Sequence, residues 1–194
     1  MTNRCKWAGN DPLMQKYHDF EWGVVSRDDH YLFEMITLEG AQAGLSWQLI
    51  INKREDYRAA FQNFSVEACA ALTDEELEEI RLHTGVVKNK LKIRSVRSNA
   101  IAFQNIQAEF GSFADYIWSF SDLIVNDWED DTEVPAQSEL SEHISKDLKK
   151  RGFKFVGPVI IYSFLQAIGM INDHVRDCSF KNAVISSGEG MCRG

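Results

Sequence analysis

The sequence predicts an all-α fold, as one domain or two interlocked helical lobes, and three observations predict it. Apolar residues recur at helical spacing in one segment after another, and no stretch shows convincing strand alternation. Residues that open and close helices stand at the ends of those segments. The longest apolar run, Val159 to Ile171, contains Gln166 and is too short to span a bilayer comfortably, so it reads as a buried core helix. With 194 residues, 44% of them hydrophobic and 26% charged, the chain has the composition of a soluble domain and the length to bury a substantial core.

The N-terminal segment is dense in aromatics: Trp7, Tyr17, Phe20 and Trp22 lie between Cys5 and Gly23. They read either as core or as a stacking box for a planar ligand. Asp28 or Asp29 can cap a helix whose Leu32, Met35, Ile36, Glu39 and Ala43 share one face. Gly40 and Gly44 weaken its end, and Ser46 can cap the next helix, through Ile50 and Tyr57 to Phe61. Cys69, in an Ala-rich stretch, reads as a small core hydrophobe. Thr73 with Glu76 is a capping box for a helix from Asp74 to Leu82. The turn from His83 to Asn89 separates it from a helix with Ile93, Val96, Ala100 and Phe103 on one side. Phe113 to Phe120 reads as a short aromatic helix, and Asp127 to Gln137 as an exposed acidic loop. Ser138 to Arg151 is amphipathic and stopped by Gly152, and Pro158 suits the first turn of the last core helix. No repeat or linker divides the chain, and the Gly-rich tail over 181–194, with Cys192, is expected to be disordered.

Net charge is −8, which argues mildly against a nucleic-acid partner, but the charge is unevenly spread. From Arg81 to Arg97 there are six Lys or Arg residues and no acid, and Lys146 to Lys154 is basic again. Such a face can contact phosphates or be merely solvated. No N-terminal stretch has the charged-then-apolar pattern of a secretion signal, so a cytoplasmic, reducing location is expected, and disulfides are not.

Cys5 and Cys178 each have a histidine at a useful spacing. His174 and Cys178 are four apart, and Cys5 and His18 have twelve residues between them. Two Cys/His pairs, one near each terminus, suit one structural zinc ion filled entirely by protein ligands. Such an ion would staple the chain ends and leave no open position for a catalytic water.

Glu39 follows Leu32, Met35 and Ile36 at helical spacing, so it points where the core should be unless the helix ends near Thr37. A buried carboxylate is costly unless paired, so the first alternative makes it an acceptor facing a ligand. A run of small residues then leads from Gly40 through Gly44 and Leu45 to Trp47 and permits close backbone approach. Further on, a short helix, a turn containing Gly85, and a helix bearing Lys88, Lys90, Lys92 and Arg94 has the pattern of a helix-hairpin-helix that holds a phosphate without reading sequence.

Several segments taken together resemble the DNA-3-methyladenine glycosylase I family, within the helix-hairpin-helix glycosylases. They are Arg4-Cys5-Lys6-Trp7, Tyr17-His18-Asp19-Phe20-Glu21-Trp22-Gly23, Leu38-Glu39-Gly40-Ala41-Gln42-Ala43-Gly44-Leu45-Ser46-Trp47, Lys149-Lys150-Arg151-Gly152-Phe153-Lys154-Phe155-Val156-Gly157 and Asn172-Asp173-His174-Val175. The resemblance implies a helix-hairpin-helix glycosylase fold over residues 1–180, with a structural zinc on Cys5, His18, His174 and Cys178. It implies a monomer, without membrane association, that flips 3-methyladenine out of double-stranded alkylated DNA and hydrolyses its N-glycosidic bond. Glu39 matches the acidic residue that reads the adenine edge, and Tyr17 and Trp47 match pocket aromatics, with Trp7 and Trp22 nearby. Gly44 and Leu45 match the segment that approaches the gap left in the duplex, and Gly85, Lys88 and Lys90 the hairpin contacts. Met14 stands where some relatives have an aromatic pocket residue, and Leu91 where some have a small hairpin residue. No Asp matches the one many helix-hairpin-helix glycosylases use to assist water, and no Lys nucleophile is evident. A zinc-stapled module that grips lesions without cutting, and a metal-dependent hydrolase, are the competing readings.

Overall fold

The computed structural model describes residues 2–189, with side chains through 185, and these residues are mostly helical. In chain order the helices are α1 (Pro12–Phe20), α2 (Asp29–Gln42), α3 (Trp47–Asn52), α4 (Arg54–Ala60), α5 (Val66–Ala71), α6 (Asp74–His83), α7 (Lys90–Phe110), α8 (Phe113–Trp118), α9 (Glu139–Lys150), α10 (Pro158–Ala167) and α11 (Lys181–Glu189). Helix α2 is the axis of the molecule and packs against α10, α7, α3 and α8. Every residue from Leu32 to Ala41 is buried, which is why its sequence is apolar on more than one face. Phe33 meets Phe64 and Phe103 edge-on, and Phe103 stacks on Phe113 with centroids 4.2 Å apart, joining α2, α7 and α8 in one aromatic core.

The caps read at Asp28, Ser46 and Thr73 with Glu76 act as expected, and the structure adds Asp11 and Ser138. Asp11, Asp28, Ser46 and Ser138 each accept a first-turn N–H, and Thr73 with Glu76 closes a reciprocal capping box. Asp29 additionally accepts the N–H groups of Phe113 and Ala114, so one carboxylate ties the start of α2 to the start of α8.

Three expectations are corrected. The helix expected from Ser46 to Phe61 breaks at Lys53, whose N–H closes α3 on the carbonyls of Leu49 and Ile50 and whose ammonium reaches the Gly85 carbonyl. The all-α reading omits a two-residue parallel ladder, β1 (Ile124–Val125) with β2 (Ile171–Asn172), too short to show a period of two. The tail expected to be disordered from 181 runs as α11 to Glu189, because Lys181 donates to the carbonyls of Asn126 and His174 and Val184 is buried. Residues 190–194, including Cys192, lie outside the described residues. Cys69 is a buried core thiol, as expected.

Glu34 on α2 and Glu21 are bridged by Arg54 at 2.7 and 2.9 Å, and Arg58 adds a second bond to Glu34 at 2.8 Å. Arg54→Met is expected to leave the buried Glu34 with Arg58 as its remaining partner and to cost about 1–3 kcal/mol of stability, measured by urea unfolding. The chain ends also meet through hydrogen bonds: Asn3 donates to Ser179 and to the Asp177 carbonyl, and the Ser179 N–H donates back to Asn3.

Candidate functional site

Cys5, His18, His174 and Cys178 come together in one buried cluster, their ligating atoms all within 4.8 Å of one another. The Cys178 sulfur lies 3.3 Å from His174 Nδ1 and 3.7 Å from His18 Nε2, and the Cys5 sulfur 3.8 Å from His174 Nδ1. Each histidine is oriented by its outer nitrogen. His18 Nδ1 meets Asp19 at 2.8 Å, and His174 Nε2 meets the Trp22 carbonyl at 2.9 Å. Protons on those outer nitrogens leave both inner lone pairs facing the cluster. Asp19 is itself held by a bidentate Arg4, at 2.8 and 2.7 Å, which keeps its carboxyl below the usual range although burial works the other way. The Cys178 thiol is pushed down chiefly by the hydrogen bond from Cys5, with His174 and His18 adding to it, while Cys5 is pushed up. Two sulfurs and two imidazoles with an anionic bias, closed off from solvent, fit a metal ion with four protein ligands.

The cluster continues directly into a cavity. Trp22 packs edge-on to His174 at 4.7 Å and to Trp7 at 4.8 Å, and Trp7 packs edge-on to His18 at 5.2 Å. Trp7 and Trp22, with Met14, Tyr17, Trp47 and Glu39, line a cavity of about 470 Å³, large enough for a purine. Tyr17 and Trp47 face each other at 5.2 Å with their planes tilted by 53°. All six pocket residues singled out in the sequence therefore meet in one place.

Helix α2 continues past Thr37 to Gln42, so Glu39 is buried, which settles the alternative that it is exposed. Near its end Gly40 gives room to the loop after α9: a Cβ there would come within 3.3 Å of Phe155. Burial alone raises the Glu39 carboxyl well above its ordinary pKa. Among the described residues its Oε2 has no hydrogen-bond partner, and neither do the indole nitrogens of Trp7 and Trp47. Unpaired buried polar atoms each cost about 1–3 kcal/mol, so three of them on residues lining one cavity point to a bound ligand that satisfies them.

Asp131 and Val134 also line the cavity, from the loop expected to be an exposed acidic one. That loop folds back because Asp131 accepts the Trp7 N–H at 3.0 Å and Trp128 donates to the buried Asp173 at 2.7 Å. Trp128 amid acids was the available signal. Gln42, Ser46, Gln48, Ser163 and Gln166 complete the lining and carried no signal in the sequence.

Gly44 and Leu45 stand at the mouth, between the lining residues Gln42 and Ser46. Gly44 takes φ +77°, a left-handed conformation that favours glycine, and presents Leu45 37% exposed. Gly85 and Lys88 are exposed in the turn between α6 and α7, and Lys90 is exposed at the start of α7. Asn89 accepts the N–H groups of Leu91 and Lys92, and the Asp56 carboxylate sits against Gly85. Lysine side chains, more than first-turn amides, are what this turn offers an anion.

Comparison with known proteins agrees with this geometry. A family model described as methyladenine glycosylase matches residues 7–182. The chain is 45% identical to DNA-3-methyladenine glycosylase 1 of Escherichia coli (strain K12), over 90% of this chain and 95% of that protein. It is 40% identical to DNA-3-methyladenine glycosylase of Haemophilus influenzae, over 94% and 100%. The 3-methyladenine DNA glycosylase I of Staphylococcus aureus, solved to define the structural basis of 3-methyladenine recognition, superimposes with a TM-score of 0.89 at 33% identity, covering 93% of this chain and 97% of that one.

Proposed function

The chain belongs to the methyladenine glycosylase family, and from that premise we propose that it excises 3-methyladenine from alkylated double-stranded DNA by hydrolysing the N-glycosidic bond. One observation carries this reading: an aromatic cavity of purine size whose lining holds two unpaired indole donors and one unpaired carboxylate oxygen.

The lesion is a cationic purine, so its glycosidic bond is already weakened and the base departs neutral without a general acid. What remains for the protein is to extrude the nucleotide, hold the ring and exclude neutral bases. Tyr17 and Trp47 provide the faces, with Trp7, Trp22 and Met14 closing the sides. Cation–aromatic contact contributes about 0.5–2 kcal/mol. Glu39 accepts from the base edge, a charge-assisted bond worth about 1.5–3 kcal/mol. Burial disfavours the charged form of Glu39, and an arriving cation favours it. A neutral adenine supplies no such compensation, so the same burial that makes Glu39 costly makes it selective.

Gly44 and Leu45 are the elements we place in the gap left by the extruded nucleotide. The α6–α7 hairpin, through Lys88 and Lys90, is the phosphate contact. Replacing both lysines by Ala is expected to weaken binding to any duplex and to lower the salt slope by about 1–2, read by anisotropy between about 50 and 200 mM salt. Free 3-methyladenine binding in that variant should be unchanged.

Zinc is the ion we assign to the four-ligand cluster. A tetrahedron with Zn–S about 2.3 Å and Zn–N about 2.0–2.1 Å has sulfur–nitrogen edges of about 3.6 Å. The three separations of 3.3, 3.7 and 3.8 Å bracket that value. When bound, zinc supplies a cross-link between the chain ends, with every donor position filled by protein. We read the chain as one glycosylase domain acting as a cytoplasmic monomer. Among the described residues, no helix is long and apolar enough to cross a membrane.

The deciding experiment is incubation with methylated duplex DNA followed by chromatography of the released bases. Free 3-methyladenine is expected. Retention of lesion-containing DNA without release would replace the enzyme by a lesion-binding module.

A further inference from the structure

Helix α2 ends at the mouth of the cavity, and a helix end leaves carbonyls without intrahelical partners. Two of them are taken by a side chain from another element. Lys92, in the first turn of α7, donates to the Ala41 carbonyl at 2.9 Å and to the Ala43 carbonyl at 2.5 Å. Within the turn itself, the Ala43 N–H donates to Gly40 at 3.3 Å and the Leu45 N–H to Gln42 at 2.6 Å. Lys92 is thus the only side chain among the described residues that donates to the carbonyls of this turn from outside it. It is also the only lysine of its basic stretch turned inward: Lys88 and Lys90 are exposed, and Arg94 is too. Burial pulls its pKa down, and no carboxylate among the described residues pairs with it. A half-buried ammonium given to two carbonyls at the negative end of a helix dipole fixes the position of that end.

We propose that Lys92 is a positioning residue for excision from duplex DNA: it locks residues 41–45 so that Gly44 and Leu45 stand ready at the gap, and it couples that segment to the hairpin that grips the phosphate. The inference rests on the functional reading above. Its logic is that an exposed apolar residue on a glycine turn enters a base stack only if the turn is held before contact, since otherwise the ordering cost is met at the moment of extrusion. Lys92 does not line the base cavity, so its contacts bear on the turn at the mouth and not on the walls that hold the base.

The test compares wild-type protein with Lys92→Met, Lys92→Gln and Lys92→Arg on three probes. These are methylated poly(dA)·poly(dT), methylated single-stranded poly(dA), and free 3-methyladenine followed by tryptophan fluorescence. Met and Gln variants are expected to release base from the duplex about tenfold more slowly in single turnover, from the single strand less than threefold more slowly, and to bind the free base within twofold of wild type. Their pH profiles should superimpose on that of wild type, and Arg should recover most of the duplex rate. Equal losses on duplex and single strand, or undiminished duplex release, would overturn the assignment. If Lys92→Met fails to fold, the Gln and Arg pair carries the same comparison. Absence of base release by the wild-type protein would instead overturn the functional reading, and this inference with it.

Discussion

Glu39→Gln is expected to reduce release of 3-methyladenine by about 10²–10³ while leaving the fold intact, the range seen when one oriented electrostatic contact is removed from a reacting centre. Gln retains the shape and one acceptor oxygen but cannot carry the negative charge that a cationic purine calls for. The same substitution should stabilise the protein near neutral pH. Burial raises the Glu39 pKa, so the folded state keeps a proton that the unfolded chain has released. Stability therefore falls as pH rises from the ordinary carboxyl range toward the raised value. Gln removes that loss and also hydrogen-bonds as a neutral group, so a gain of about 1–2 kcal/mol is expected at pH about 7.5, shrinking to nothing below about pH 4. Single-turnover excision and urea unfolding at the two pH values read both effects. Wild-type release rates in the variant would remove Glu39 from the chemistry, and equal stabilisation at both pH values would remove its titration.

What the sequence made legible follows from the range of each interaction. Capping at Thr73 and Glu76 is a contact over three positions, and it appears in the structure as read. The Cys/His cluster spans 173 positions, from Cys5 to Cys178, yet its chemistry is rare enough that two Cys/His pairs stand out. Glu39 was ambiguous because a pattern along one helix cannot show what packs at its end. The elements packed on α2 come from distant parts of the chain, and the approach of Phe155 to Gly40 alone joins residues 115 positions apart. The return of Asp131 is hidden for the same reason: its contact with Trp7 joins residues 124 positions apart, and Trp128 amid the acids is the one local sign of it. The β1–β2 ladder left no trace because two residues cannot alternate.

The contiguity of cluster and cavity gives the second large prediction its content. Cys178→Ser is expected to lose the bound ion, read by elemental analysis, and to lower the melting temperature by about 10 °C or more. Structural zinc contributes apparent energies up to about 10–16 kcal/mol in small peptides. Here the chain ends are also joined through Asn3 and Ser179, so a smaller share, about 4 kcal/mol, is expected, at about 2–4 °C per kcal/mol for a domain this size. The consequence should reach the pocket by a defined route. His174 holds the Trp22 carbonyl and packs on its ring, Trp22 packs on Trp7, and Trp7 is a wall of the cavity. Free 3-methyladenine should accordingly bind more weakly to Cys178→Ser at a temperature where the variant is still folded, with Trp7 and Trp22 fluorescence altered before any ligand is added. Glycosidic cleavage, by contrast, should persist in the ion-depleted protein at saturating substrate, because all four donors come from the chain and none is left for water. Cleavage abolished in the folded, ion-free protein and restored by the ion alone would make the metal a participant in the reaction. Unchanged metal content in Cys178→Ser would instead show that the four residues do not form the site.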